Sequence, residues 1–464
     1  MSAPNISWSF EAVPIKAHLK WVHKEDGAIT LLSLFLLLIC LILGGLAVDI
    51  NKVISERTQL QVAADSAAHA ALYTREKHSP EESIATATET VASMLPPNQF
   101  GYNALLATDV SFGKWDFAEQ SFVQDPNSRS AVQVHAMMEE ARDNASRNFL
   151  LRLVGRDTFD VRVESVYSTY YPGCFTEGFV AEGVVDVQSN NNFSNGFCIH
   201  SNEYVSMNQN NYFEPGTVVS MPNIDDLDIP RSGFEKNDGL QTALRNGKYR
   251  LRLLNQLPDI IDSFWTAEAE HLPPYVSPSY YYDIDLREFP GLPPGEPQPK
   301  GNTNSLNSYH FKENAVNRMI CGGSGSITMD AGLYSEFVFI SDCEIKFSNG
   351  VVLEDVVIAT THEGATSLNS PQGLQIGRDD DCAEGGGASL MTLGGFKVAS
   401  SLSVYNGQVL AMGDITFSAN ADGVKGASFI SYGQIDGTSN MDMGFCRNSG
   451  MENAYRAPYF RMVN

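Results

Sequence analysis

Three consecutive aspartates, Asp379-Asp380-Asp381, follow Gly377-Arg378 and are the residues most suited to chemistry in this chain. Clustered carboxylates can share a proton for work on a glycosidic bond, or hold Ca²⁺. The same run is also the composition of a solvated turn, which is the simpler reading. Asp225, Asp226 and Asp228 could meet Ca²⁺ as well, but they lack EF-hand spacing. Cys198 and His200 stand two apart, so on a strand they share one side and could pair as thiol and imidazole or bind a metal. No second cysteine–histidine pair completes a zinc set. His362-Glu363 lacks the second histidine of H-E-x-x-H. Gly322-Gly323-Ser324-Gly325-Ser326 is not a nucleophile elbow, and Gly385-Gly386-Gly387 precedes no P-loop lysine. No catalytic, cofactor or metal residue is assigned, and the expected role is non-enzymatic.

The elements that must position these residues begin with Ala28–Val48, a run of 21 residues with neither charge nor proline. At about 1.5 Å per residue it covers about 31 Å, enough for the hydrocarbon core of a bilayer. Lys16, Lys20 and Lys24 precede it, and Lys52 and Arg57 follow it. The bias is slight and favours a cytoplasmic N-terminus with the bulk exported. The run is longer than a signal-peptide core and ends in no A-x-A site, so a retained single span is expected.

Export agrees with the cysteines. Cys40 lies in the span, leaving Cys174, Cys198, Cys321, Cys343, Cys382 and Cys446 as disulfide candidates. Six cysteines allow 15 pairings. The simplest joins neighbours, Cys174–Cys198, Cys321–Cys343 and Cys382–Cys446; six reduced buried thiols are the alternative. With 31 basic against 55 acidic residues the net charge is -24. No basic run could follow a phosphate backbone, so nucleic acid is not an expected partner, and bulk charge opposes adhesion to anionic lipid.

Residues 49–77 continue the span as a helical stem without glycine or proline. Its stripe of Ile50, Val53, Leu60, Ala64, Ala67 and Ala71 turns from large to small within Ala63–Ala71. Ala63, Ala64, Ala67, Ala68 and Ala71 are candidates for a close helix–helix contact, within the chain or with a partner. Ser79-Pro80-Glu81-Glu82 starts a second helix with a capping box, and Pro96-Pro97 ends it. Alternating segments at Val110–Phe112, Val132–Val134 and Phe159–Val163 read as strands, with a helix predicted over 144–154 and closed by Gly155.

After Cys174, lysine and arginine vanish until Arg231 while asparagine and glycine abound. Short apolar clusters separated by Gly/Asn/Asp/Ser turns recur here and again from Ile327 onward. They suit a right-handed parallel β-solenoid, although no repeat of fixed length is found; a β-sandwich is the alternative. A helix is predicted over 238–257, followed by a proline-rich stretch from Pro273 to Pro299. The expected class is α+β followed by all-β. It comprises a cytoplasmic tail (1–27), a transmembrane helix (28–48), and a stem with an α+β unit (49–172). A solenoid-like exported domain (173–222 and 320–464) is split by a helical and proline-rich insertion (223–319).

The N-terminal third resembles the TadE/TadG-like proteins of Flp (tight adherence) pilus assembly. The matching residues are Glu25-Asp26-Gly27-Ala28, Gly45-Leu46-Ala47-Val48-Asp49, Gln59-Leu60-Gln61 and Ala63-Ala64-Asp65-Ser66-Ala67-Ala68. Val110 to Asp116 and Phe149 to Gly155 also look like that family. The resemblance implies a single-pass protein of the bacterial inner membrane whose partners are pilus-assembly or other envelope proteins. Prepilins of this system carry a glutamate five residues past the cleaved glycine; here that position is Leu32, and no D-x-S-x-S metal motif occurs. A membrane-anchored polysaccharide-binding adhesin or polysaccharide-active enzyme is the alternative function.

Overall fold

The computed structural model describes residues 28–295, 304–322, 325–437 and 439–464. The expected tail, 1–27, and Pro297 and Pro299 lie outside the described residues. The chain divides into two units, Met1–Thr169 with Phe460–Asn464, and Tyr170–Tyr459.

In the first unit, helix α1 (Ala28–Arg75) runs unbroken from the apolar segment into the stem. Its apolar half is exposed, and the helix is long and apolar enough to cross a membrane. Helix α2 (Pro80–Met94) starts at the expected capping box. The Glu82 N–H donates to Ser79 Oγ at 3.3 Å, and the Ser79 N–H donates to Glu82 Oε2 at 3.1 Å. A short helix α3 (Pro97–Phe100) follows. A five-stranded sheet runs in the order Ser121–Gln124, Val110–Asp116, Ala131–Met138, Val161–Tyr170, Tyr459–Met462. Val110, Phe112, Val132, Val134, Ala136 and Met138 pack with the two helices into one core.

The helix predicted over 144–154 is not formed. Ser146–Arg147 pairs instead with Thr158–Phe159, and only a 3₁₀ turn, Leu151–Val154, precedes Gly155. Gly155 does close that turn, at φ 84°. Tertiary partners outbid local propensity here. The Asn144 side chain bonds the Glu139 N–H and the Phe100 and Met137 carbonyls, and α1 takes the backbone N–H groups of residues 149–151.

The second unit is built from parallel strands in three ladders. In the first, Gly178–Ala181, Cys198–Ser201 and Val218–Met221 lie in register, Phe179 beside Ile199 beside Val219. In the second Val185 lies beside Val205, and in the third Asn192 lies beside Tyr212. Each step is 20 residues, as the hydrogen bond from the Asn191 N–H to Asn211 Oδ1 also shows. This is a fixed period where none was found by reading the sequence. Its signal is Val185-x-Val187-x-x-Asn190-Asn191-x-Phe193 echoed by Val205-x-Met207-x-x-Asn210-Asn211-x-Phe213. Later steps are unequal, from 18 residues between Ser326 and Glu344 to 32 between Val357 and Ser389, and the chain turns corners inside single strands. Glu336 and Asp355 adopt left-handed φ of 58° and 46° within Gly332–Ser341 and Val351–Thr360, so each strand serves two ladders.

The passes do not stack in chain order. Ile415–Ser431 pairs with Gly178–Ala181, setting Phe429 beside Phe179; Ile435–Gly437 pairs with Val185–Val187, and Asp442–Gly444 with Asn192–Phe193. The first passes of the unit therefore continue the stack beyond its last pass. Within 223–319, Asn237–Asp238, Leu244–Asn246, Tyr281–Asp283, Ser305–Leu306 and Val316–Met319 join the same ladders.

The helix predicted over 238–257 is broken. A single turn, α4 (Leu240–Ala243), gives way to Leu244–Asn246, which pairs with Val219–Met221. Helix α5 (Arg252–Trp265) then runs through Pro258. An interior proline costs about 3 kcal/mol, whereas burying Leu253, Leu254, Leu257, Ile260, Ile261 and Phe264 contributes about 1.5–3 kcal/mol each. These side chains cover the outer face of the first ladder, where Val338, Ile340, Val357, Met391, Leu410 and Ile430 point away from the interior. α5 meets the strands at Val316–Met319, Gly332–Ser341, Ala388–Thr392 and Phe396–Ala411, lying along the stack. The interior itself is aromatic: Phe193 stacks on Phe213 at 4.9 Å and Phe311 on Phe337 at 4.5 Å between centroids.

Candidate functional site

The residues singled out for chemistry are occupied with structure. Arg378 Nε donates to Asp380 Oδ2 at 2.7 Å, and the Ala383 N–H donates to Asp380 Oδ1 at 3.0 Å. Lys425 Nζ donates to Asp381 Oδ1 at 2.7 Å and lowers its pKa. Asp379 is exposed. The triplet is a turn tied down by its neighbours. The Asp225 N–H donates to Asn223 Oδ1, and the backbone of Asp228 bridges to Val205 and Met207.

Cys198 is joined to Cys174, with Cα atoms 4.8 Å apart. His200 is fully buried, its Nδ1 sharing a hydrogen bond with Ser220 Oγ at 2.8 Å and its Nε2 with Asn202 Oδ1 at 3.0 Å. Burial lowers its pKa, against the opposing pull of Asn202 and Glu182. His362 Nδ1 shares a hydrogen bond with Ser367 Oγ at 3.0 Å. Gly323 and Ser324 lie outside the described residues.

The remaining cysteines pair as Cys321–Cys343 and Cys382–Cys446, at Cα separations of 5.4 and 5.6 Å, and Cys40 is free. Among the described residues Cys321, Asp342 and Cys343 bring three ligand atoms within reach of one ion. Both sulfurs are spent on each other, so no thiolate is left to bind it.

Ala63, Ala64, Ala67, Ala68 and Ala71 are all fully buried. Their small side chains let α1 approach α2, through Ala87 and Val91, and the sheet through Val132 and Val134. The close helix contact is made within this chain.

A constellation that sequence reasoning missed lies where α1 leaves its apolar run. Asp49, the first charge after that run, is fully buried. Its carboxylate accepts from the backbone N–H groups of Phe149 at 2.7 Å, Leu150 at 2.9 Å and Leu151 at 2.7 Å. Burial raises its pKa, but the three N–H groups and the Lys52 ammonium outweigh that, leaving it below the ordinary aspartate value. One turn on, Lys52 Nζ donates to the Arg147 carbonyl at 2.5 Å and pairs with Glu56 at 3.4 Å. The buried Glu56 accepts the Ser146 hydroxyl. Asp49, Lys52 and Glu56 thus clasp the loop 146–151. The available signal was their spacing of three and four residues, one helical face, immediately after the span.

A family model for TadE/G-like Flp pilus assembly matches residues 27–77, and one for Tad-like Flp pilus assembly matches 66–166. Between them they contain the apolar helix, the alanine stripe, the sheet strands up to Val166 and the clasp. Neither curated proteins nor solved structures match the chain. A third family model, described as a domain of unknown function (DUF7867), matches 178–447, within the ladder unit. Since that match spans more than half of the 464 residues, the chain belongs to the DUF7867 family, carried behind a TadE/G-like N-terminal region.

Proposed function

We propose that this protein is a single-span inner-membrane component of Flp/Tad-type pilus assembly, acting as a non-enzymatic anchor or scaffold. Its N-terminus is cytoplasmic and its bulk periplasmic or extracellular. The observation that carries the reading is the coincidence of the two Tad family matches with one continuous helix, apolar over 28–48 and clasped at its exit by charged residues. Three disulfides support an oxidising location for the ladder unit. We read that unit as a β-solenoid, on the strength of its three parallel ladders and 20-residue steps, projecting a surface for envelope partners. Asp380 and Asp381, the carboxylates the glycan-active alternative would use beside Asp379, are held in ion pairs within a turn, which supports the non-enzymatic reading.

Deleting the gene in its native host is expected to abolish surface pili. Re-expressing the full chain should restore them, and a secreted version with 28–48 replaced by a cleavable signal should not. Unchanged piliation after deletion overturns the proposal.

A further inference from the structure

The loop that Asp49 clasps combines apolar and basic residues. From Asn144 to Arg156 it contains no acidic residue, although the protein has 55. It carries Phe149, Leu150 and Leu151 at its tip, with exposed arginines at 147, 152 and 156. Phe149 is 63% exposed, and Leu46 and Val48 on the helix are exposed too.

Its height along α1 is fixed. A Cβ built on Gly45 would stand 2.6 Å from Leu150 Cβ, so the Leu150 side chain packs directly on the glycine. Gly45 lies inside the apolar run, and at about 1.5 Å per residue it is about 6 Å below Asp49. The bonds from Asp49, Lys52 and Glu56 hold the loop at that level. A helix that crosses the bilayer with 28–48 therefore carries Leu150 and Phe149 to the edge of the hydrocarbon layer. Apolar side chains with flanking arginines suit that depth, because the rings leave water while guanidinium groups reach lipid phosphates.

We infer that the loop Arg147–Arg156 is a second membrane contact, in which Phe149 and Leu150 enter the interfacial layer and Arg147, Arg152 and Arg156 meet lipid phosphates. The inference rests on the single-span reading. The bulk charge of -24 works against adhesion elsewhere, so the contact depends on the span to present the loop. It would stop the α+β unit from swivelling about one helix and so set its orientation for assembly partners.

The test uses the full-length oxidised protein in vesicles of phosphatidylethanolamine and phosphatidylglycerol. An environment-sensitive fluorophore is attached at Phe149→Cys or Lys77→Cys in a Cys40→Ser background, or at native Cys40 in the unaltered chain. Phe149 is exposed and Lys77 lies in the turn after α1, so neither change disturbs the core. The expected result is a blue-shifted label at 149, quenched several-fold more by nitroxide lipids than the label at 77 and protected from aqueous iodide. Replacing Arg147, Arg152 and Arg156 by glutamine should reduce that lipid quenching. Iodide quenching at 149 equal to that at 77, with Cys40 still quenched by lipid, overturns the contact and leaves the span intact. Protection from iodide without lipid quenching assigns the cover to protein and also overturns it. A Cys40 label insensitive to nitroxide lipid overturns the span and the contact together.

Discussion

Asn191 Oδ1 accepts a hydrogen bond at 3.0 Å from the backbone N–H of Met441, 250 residues further along the chain. The Asn191 N–H in turn donates to Asn211 Oδ1, and Asn211 Nδ2 donates to Asn237 Oδ1 at 3.1 Å. One residue earlier, Asn190 Nδ2 donates to Asn440 Oδ1 and Asn210 Nδ2 donates to Asn190 Oδ1. A column of asparagines thus stitches the last pass of the stack to the first ones. Asn190, Asn210 and Asn440 sit at φ 62°, 62° and 64°, a left-handed turn that asparagine tolerates better than most residues.

Asn191→Ala should destabilise the ladder unit by about 1–3 kcal/mol, because the buried Met441 N–H loses its acceptor. Asn208→Ala, at an exposed position on the following pass, should stay within about 0.5 kcal/mol. Denaturant melts of the two variants check this; equal losses would remove the special role of the column.

Asp49→Ala leaves three backbone N–H groups without their acceptor and should cost the N-terminal unit about 2–3 kcal/mol. Hydrogen exchange should quicken at Phe149, Leu150 and Leu151 before other amides. The native Asp49 pKa is depressed, so its contribution is complete above the unfolded aspartate value of about 3.9 and fades as pH falls through the folded one. Unaltered exchange at these three amides would show that the clasp does not order the loop.

His200 is buried with a lowered pKa, facing Ser220, Asn202, Glu182 and the edge-on ring of Tyr249 at 4.7 Å. The unfolded imidazole, with a pKa of about 6.5, binds a proton that the folded one refuses, so stability should fall as pH drops from about 7 to 5. The slope contributed is at most about 1.4 kcal/mol per pH unit. His200→Gln should flatten it in thermal melts of the oxidised protein, and an unchanged slope would assign the effect to other groups.

The three disulfides close loops of different length, with separations of 64 residues for Cys382–Cys446, 24 for Cys174–Cys198 and 22 for Cys321–Cys343. Chain entropy alone gives about 4 kcal/mol for the longest and about 3 kcal/mol for each of the others. Replacing Cys382 and Cys446 together by serine should lower the melting temperature most. A reversed order among the three double variants would point to enthalpic terms instead.

Ala67→Leu should cost about 1–3 kcal/mol by overpacking the joint between α1, α2 and the sheet, whereas Val62→Leu on the exposed side should be nearly neutral. Circular dichroism melts of the full chain in detergent distinguish them.

Local signals were legible wherever the deciding forces act within a turn or two of the chain. The apolar run, the Ser79–Glu82 capping box and the left-handed Gly155 are of this kind, and so is the N-terminal family resemblance, carried by contiguous residues. The helices predicted over 144–154 and 238–257 do not form because backbone groups of 149–151 are claimed by Asp49 and those of Leu244–Asn246 by the Val219–Met221 strand, both distant in sequence. The 20-residue step was present in the asparagine pairs but hidden by later steps of unequal length.

By itself the sequence determined an apolar helix that water cannot accommodate, short strands separated by turn residues, and six cysteines able to pair downstream of that helix. Only the tertiary structure decided that Asp49 would cap a loop 100 residues away and that Phe179 would lie beside Phe429, so that the first passes follow the last. Propensity and periodicity speak for neighbours along the chain. Which strand edge meets which is settled by burial and hydrogen bonding between residues that no local pattern connects.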